Sequence, residues 1–151
     1  MNIIKIKKGY QMNGVQTYRS EFLPEITIMI LTDESDHYEI FKPRFEELGY
    51  GFMSPDHNVI FVDGEQLIEM GADPNLFKFI EAHEVTHHLL DHSGPRSEDD
   101  EIEADLGAYL LLKKYGYNDS IKLLVKNFKF RHGVKFDESL LEKIKNRMPD
   151  L

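Results

Sequence analysis

The sequence contains no cysteine. This absence excludes disulfide scaffolds, thiolate zinc sites, iron–sulfur clusters and cysteine nucleophiles. No apolar run approaches the roughly 18 residues that a membrane span requires, and the longest candidate covers only residues 26–31. The N-terminus alternates apolar and basic residues and lacks the continuous apolar segment of a secretory signal. We therefore expect a cytoplasmic protein without a membrane partner.

Basic residues are scarce in the first 110 positions, which hold 8 Lys and Arg against 22 Asp and Glu. Positions 111–151 reverse this balance, with 10 basic and 5 acidic residues. An acidic body argues against nucleic-acid binding, because phosphate neutralisation requires a basic face. The basic C-terminal third can be interpreted as a solvated helix face or as a binding surface for nucleic acid or an acidic partner.

The 151 residues, 41% hydrophobic and 30% charged, are typical of one globular unit, and we expect residues 1–151 to form a single domain. Residues 25–31, 50–53 and 58–62 are predicted strands, and residues 38–48 a helix that Gly49 ends. Helical spacing begins at Pro74, with helices predicted over residues 74–90, 97–115, 119–129 and 137–147. This order predicts an α+β fold with a small N-terminal mixed sheet and a helical C-terminal part.

The segment His83-Glu84-Val85-Thr86-His87 has the pattern H-E-x-x-H within a predicted helix. Residues four apart lie on one helix face, so the two imidazoles can bind one metal ion. Glu84 is placed to accept a proton from a water whose pKa zinc has lowered. The composition gives about 0.03 chance occurrences of the pattern. The alternative is a pair of hydrogen-bonded histidines in a core helix.

A zinc hydrolase needs a third protein ligand. A histidine six positions after His87 would complete a metzincin pattern, but that position is Ser93. An acidic segment lies on the next predicted helix, and we assign Glu101 as the third ligand, with Glu103 and Asp105 as alternatives. Asp105 is also expected to accept the second ring N–H of a ligand histidine. Without the upstream motif, these acids would be explained by the helix macrodipole, which favours negative charge at a helix N-terminus.

The segments FIEAHEVTHHLL (residues 79–90) and EIEADLGA (residues 101–108) resemble the ImmA/IrrE family of zinc peptidases, in the glutamate-zincin group. The resemblance covers roughly residues 50–112. It implies a zincin-like fold, in which a small mixed sheet packs on the active-site helix, with one zinc ion per chain. It implies His83, His87 and Glu101 as the zinc ligands. Glu84 would then be the catalytic acid and base.

The sequence departs from that family at Thr86, where glycine is common, and at Asp105, where asparagine is common. Lys113 and Lys114 stand where Met-Pro often follows the second helix. Family members are mostly intracellular bacterial or phage proteins, several of which cleave or inactivate repressors. The resemblance therefore implies a protein or peptide substrate, including regulatory proteins, without specifying it.

Of the five histidines outside the motif, four are considered as possible site residues. His88 and His92 form a second i, i+4 pair, rotated about 100° from the ligand face, and are expected to face solvent. His57 in a turn and His132 in a loop are expected to be polar surface, although either could stabilise an oxyanion. Tyr109 is expected to pack in the core. The sequence therefore leaves the electrophile unassigned.

The sequence favours a zinc-dependent peptidase that hydrolyses peptide bonds of a protein substrate. One alternative is a non-catalytic, zinc-containing regulatory domain that binds a protein or nucleic acid. Another is a structural zinc site closed by a fourth ligand, Asp105 or Glu103. Glu84 favours catalysis, because a structural site needs no carboxylate beside a metal-bound water. In the arrangement that the resemblance implies, the strand at residues 58–62 forms a sheet edge that binds extended substrate.

Overall fold

The secondary structure comes from a computed structural model that describes residues 11–12, 14–54, 56, 58–71, 73–92 and 96–149. The chain divides into two units, residues 1–77 and 78–151. The elements of the first unit are β1 (Gln11–Met12), β2 (Val15–Arg19), β3 (Thr27–Leu31), α1 (Tyr38–Leu48), β4 (Gly51–Met53), β5 (Val59–Asp63) and α2 (Gly64–Glu69). Those that follow are α3 (Pro74–Leu89), which crosses into the second unit, α4 (Glu98–Tyr115), α5 (Asn118–His132) and a 3-10 helix (Glu138–Lys143).

The five strands form one mixed sheet in the order β1-β2-β3-β5-β4. The β3–β5 pair is parallel, with Met29 opposite Phe61, and the other three pairs are antiparallel. A parallel pair needs a crossover connection, and here the crossover carries α1 and β4. The α+β class and the small N-terminal mixed sheet are thereby confirmed.

The strand predicted at residues 58–62 is present as β5, but it is not at the sheet edge. β5 pairs with β3 on one side and with β4 on the other. Ile60 and Val62 are fully buried, as befits an interior strand. The edge-strand expectation was therefore wrong, because the parallel pairing with β3 places β5 inside the sheet. In the part of the chain that the structure describes, β4 is the outermost strand on that side.

A hydrophobic cluster packs α1 against the sheet. Its buried members are Val15, Leu31, Tyr38, Phe45 and Phe52. The Tyr38 hydroxyl donates a hydrogen bond to Oδ1 of Asp63, at 2.9 Å, and the same oxygen accepts the backbone N–H groups that begin α2. Burial and the nearby carboxylate raise the pKa of Tyr38. This contact links the start of α1 to the end of β5.

The predicted limits of α4 are confirmed by its caps. The Ser97 hydroxyl accepts the Asp100 N–H at 3.1 Å, and the Asp100 carboxylate accepts the Ser97 N–H at 3.2 Å. Gly116 ends the helix in the left-handed conformation, at φ 80°. The helix predicted at residues 137–147 is instead a shorter 3-10 helix, and α5 extends further than predicted, to His132.

Helices α3 and α4 approach each other closely at one pair of residues. Gly107 on α4 faces Thr86 on α3, and a Cβ atom on Gly107 would overlap the Thr86 methyl group. The Thr86 hydroxyl donates to the Ala82 carbonyl at 2.8 Å within its own helix. The helices that carry the candidate site are therefore in direct contact at these two residues.

None of the described helices is long and apolar enough to span a membrane.

Candidate metal centre

His83 and His87 lie on the same face of α3, four residues apart, with their Nε2 atoms 3.1 Å from each other. Both residues are buried, with 6% and 1% of their surface exposed. Glu84 is also buried, and one ligand-type atom from each of the three residues lies within 4.8 Å of the other two. The helix therefore places the side chains of His83, Glu84 and His87 close together, as their spacing in the sequence predicts.

Glu101, at the start of α4, faces both rings. Its Oε1 lies 3.3 Å from His83 Nε2, and its Oε2 lies 3.0 Å from His87 Nε2. Despite this proximity, Oε2 is buried and makes no geometrically acceptable hydrogen bond to any described group. Burial raises the pKa of Glu101, but the two histidines outweigh it and hold the pKa well below its usual range.

The two other candidate ligands lie elsewhere. The Asp105 carboxylate contacts Nδ1 of His83, the ring nitrogen opposite Nε2. The Glu103 carboxylate contacts His92 and Arg147. Of the three acids, Glu101 is the one shown facing both Nε2 atoms.

Asp105 is fully buried and holds three side chains. Its Oδ1 lies 2.7 Å from His83 Nδ1, and its oxygens lie 3.0 Å and 2.9 Å from Nη1 of Arg131. Its Oδ2 lies 2.5 Å from Nε2 of His132. Burial raises the pKa of Asp105, but these partners keep it well below its usual range. A carboxylate against Nδ1 keeps a proton on that nitrogen and leaves Nε2 as the ring nitrogen that faces Glu101.

The pKa values of the paired histidines diverge. Burial lowers the pKa of His83, but the carboxylates of Asp105 and Glu101 raise it to about 9. Burial lowers the pKa of His87 to about 3, against the opposing effect of Glu101. The rings therefore differ in their electrostatic surroundings, although they share one helix face.

His92 is not solvent-facing, and that expectation was wrong. Its side chain is 6% exposed, and its Nδ1 lies 2.9 Å from Nδ1 of His87. The reason is that α3 ends at Leu89 and the chain turns back through Asp91, whose φ is +59°. The backbone N–H of His92 then donates to the His87 carbonyl at 2.9 Å.

His132 is also not a loop residue on the surface. It is the last residue of α5, and its side chain is 5% exposed. Tyr109 is buried as predicted, and its hydroxyl donates to Glu138 at 2.7 Å. His88 is half-buried. His57 lies outside the described residues.

Glu84 is next to a cationic side chain that sequence reasoning missed. Nη1 of Arg96 lies 4.0 Å from Oε1 of Glu84 and 3.9 Å from Oε2 of Glu101. Its Nε is buried and has no hydrogen-bond partner among the residues described. Burial raises the pKa of Glu84 to about 7, although His83 and Arg96 act in the opposite direction.

A cavity of about 480 Å³ lies beside these groups. It is lined by Arg96, Ser97, Glu98, Glu101, Ile102, Arg131, His132 and Gly133. Arg96 and Arg131 belong to no recognisable sequence motif. The one feature that could have indicated a site role for Arg96 is its position directly before the capping residue Ser97. The cavity gives solvent and small groups access to Glu101.

Comparison with protein-family models, curated proteins and solved structures found no significant match. The function must therefore be inferred from the residues of the chain itself.

Proposed function

We propose that the protein is a zinc-dependent peptidase with a zincin-like fold, related to the ImmA/IrrE family that its sequence resembles. It acts in the cytoplasm on a protein or peptide substrate. One observation carries the proposal: a buried carboxylate, Glu84, lies beside a convergent set of two imidazole nitrogens and the Glu101 carboxylate. A structural metal site would not need Glu84.

The donor set fits one zinc ion. Two imidazole nitrogens and one carboxylate are the ligands of many catalytic zinc sites, which keep a fourth position for water or substrate. The buried Oε2 of Glu101 faces His87 Nε2 without a proper hydrogen bond, as expected of two lone pairs that share a cation. Zinc bound there would supply Lewis acidity and lower the pKa of a water molecule.

Glu84 is the proton carrier of this proposal. Its carboxylate accepts a proton from the attacking water and delivers it to the leaving amine. General acid–base catalysis is most efficient when the pKa of the catalytic side chain is near the working pH. In the metal-free protein, burial raises the pKa of Glu84 to about 7.

Arg96 is the proposed electrophile. Its guanidinium reaches within 4.0 Å of Glu84 and lines the cavity beside Glu101. A fixed cation in a buried site stabilises negative charge that develops on the scissile carbonyl oxygen. Distances between catalytic groups shorten when substrate binds, so 4.0 Å is compatible with this role.

The test measures zinc content and cleavage on the same preparations. We expect about one zinc per wild-type chain and its loss in His83→Ala, His87→Ala and Glu101→Ala. Glu84→Gln should keep zinc and lose hydrolysis of an unfolded casein substrate, because it removes the proton acceptor but no ligand. Normal zinc content in Glu101→Ala, with loss in Asp105→Ala or Glu103→Ala, would reassign the third ligand.

A second measurement separates the peptidase from a structural zinc site that is closed by a fourth ligand. Acetohydroxamate should change the visible spectrum of the Co²⁺-substituted protein, because a catalytic site keeps one position for an external ligand. An unchanged spectrum, together with no casein cleavage, would contradict the peptidase and favour a closed structural site.

A further inference from the structure

We propose that His92 is a positioning residue for the metal ligand His87, and that Glu103 and Arg147 hold His92 in place. The inference rests on the proposed zinc site. It gives the C-terminal basic segment a role that its charge alone did not indicate.

The four side chains form a continuous line of short contacts. Nδ1 of His87 lies 2.9 Å from Nδ1 of His92, and Nε2 of His92 lies 2.8 Å from Oε1 of Glu103. Oε2 of Glu103 lies 2.6 Å from Nη2 of Arg147. The side chains of His92 and Glu103 are 6% and 16% exposed. The line therefore runs from the buried His87 to the protein surface at Arg147.

One arrangement of protons satisfies every contact when His87 binds a metal. Nε2 of His87 must present its lone pair to the metal, so its proton lies on Nδ1 and is donated to His92. Nδ1 of His92 then accepts, and its own proton lies on Nε2, where it is donated to Glu103. Arg147 donates to the second oxygen of that carboxylate. Each donor faces an acceptor along the whole line.

The same proton arrangement disfavours a second metal ion on His92, Asp100 and Glu103, whose ligand-type atoms also lie within 4.8 Å of one another. A metal on Nε2 of His92 would require the proton on Nδ1, which would then be donated to His87. His87 would in turn carry its proton on Nε2 and could not bind the first metal.

The two candidate ligands on α3 are thus oriented in different ways. His83 donates directly to a carboxylate, that of Asp105. His87 reaches a carboxylate, that of Glu103, through His92. Both carboxylates contact arginines from the basic C-terminal third, Arg131 and Arg147. Such partners of metal-bound histidines typically contribute about 10- to 100-fold in metal affinity.

A matched pair of substitutions tests the proposal. In His92→Asn, the amide oxygen can take the place of Nδ1 and accept the proton of His87, whereas His92→Phe fills the space without an acceptor. We expect zinc affinity about 10- to 100-fold lower in His92→Phe, and within a few-fold of wild type in His92→Asn. The NMR signal of the His87 Nδ1 proton in the zinc protein should broaden by exchange with water only in His92→Phe.

Controls distinguish this role of His92 from a second metal site and from simple packing. Asp100→Asn should leave zinc affinity and a count of one zinc per chain unchanged, whereas two zinc ions per wild-type chain would overturn the proposal in favour of a second site. Equal zinc affinity in wild type, His92→Phe and His92→Asn would also overturn it. So would equal losses in both variants with lower stability of the metal-free protein, which would indicate a packing role. Failure of the wild type to bind zinc would instead contradict the proposed function.

Discussion

Thr86 on α3 fills the space in front of Gly107 on α4, where a Cβ atom would lie 2.9 Å from the threonine hydroxyl and closer still to its methyl group. Thr86 immediately precedes His87, and Gly107 follows Asp105 by two positions. The contact therefore sets the distance between the helices that carry the proposed ligands and their partners.

Gly107→Ala should lower the free energy of unfolding by about 1 to 3 kcal/mol, because overpacking forces the helices apart. Thr86→Ala in the same chain should recover part of this loss, so the two effects would not be additive. Urea unfolding of both single variants and the double variant measures the coupling. A Gly107→Ala protein as stable as wild type would contradict the close approach.

Asp105→Asn should weaken zinc binding by about 10- to 100-fold, because the amide is a weaker acceptor for the His83 ring than the carboxylate. Competition with a chromogenic chelator measures the affinity. Asp119→Asn, at an exposed position of α5, is the matched control and should bind zinc as wild type does. An unchanged affinity in Asp105→Asn would leave the carboxylate with a packing role only.

Removal of zinc should lower the melting temperature of the protein. Zinc that binds only the folded state stabilises it by about 2.7 kcal/mol at a free concentration 100 times Kd. Thermal unfolding with and without a chelator measures the shift, and His87→Ala should melt at the same temperature in both conditions. Identical curves for the wild-type protein would argue against a tightly held ion.

Proline substitutions test the position of β5. Between β4 and β5, the N–H of Ser54 donates to the Val59 carbonyl and the N–H of Asp63 donates to the Tyr50 carbonyl. Hydrogen-bonded and non-hydrogen-bonded pairs alternate along an antiparallel ladder. The N–H of Phe61 therefore points toward β4, whereas the N–H of Met53 points away from β5. Phe61→Pro should therefore disrupt the fold. Met53→Pro should be tolerated better, as circular dichroism and urea unfolding would show. If both proline variants were equally stable, β5 would have to lie at the edge of the sheet after all.

Tyr38→Phe should cost about 1 to 3 kcal/mol, since it removes a hydrogen bond to the Asp63 carboxylate. The raised pKa of Tyr38 means that the folded state favours the neutral phenol. The resulting stability is complete below the unfolded pKa of about 10 and is lost as the pH rises toward the higher folded value. The difference between wild type and variant in urea unfolding should shrink above pH 10. A difference that stays constant would contradict this linkage.

The limits of α1 and α4 were predictable because they depend on local signals. Ser97 with Asp100 marks the start of α4, and Gly116 and Gly49 end their helices in the sequence as in the structure. The spacing of His83 and His87 likewise needs only the geometry of one helix. Each of these features involves residues that are close in sequence.

The surroundings of the site could not be predicted in the same way. The prediction that His92 faces solvent extended the helical periodicity of α3 past Leu89, where the helix has already ended. Asp91 provides the turn, and aspartate tolerates its left-handed conformation better than most residues do. The partners Arg131 and Arg147 come from segments far along the chain. The edge position predicted for residues 58–62 was wrong for the same reason, since the parallel pairing of β3 with β5 connects segments separated by an entire helix and strand.

The order of the site residues along the chain has a consequence for assembly. The three proposed ligands lie within residues 83–101, so the loop that a metal ion must close is short and its entropic cost is low. Arg131, His132 and Arg147 follow later and are synthesised last. If zinc binds as proposed, a growing chain can bind it weakly through α3 and α4 and hold it more tightly once the C-terminal segment has folded. Chains truncated before that segment would exchange zinc quickly.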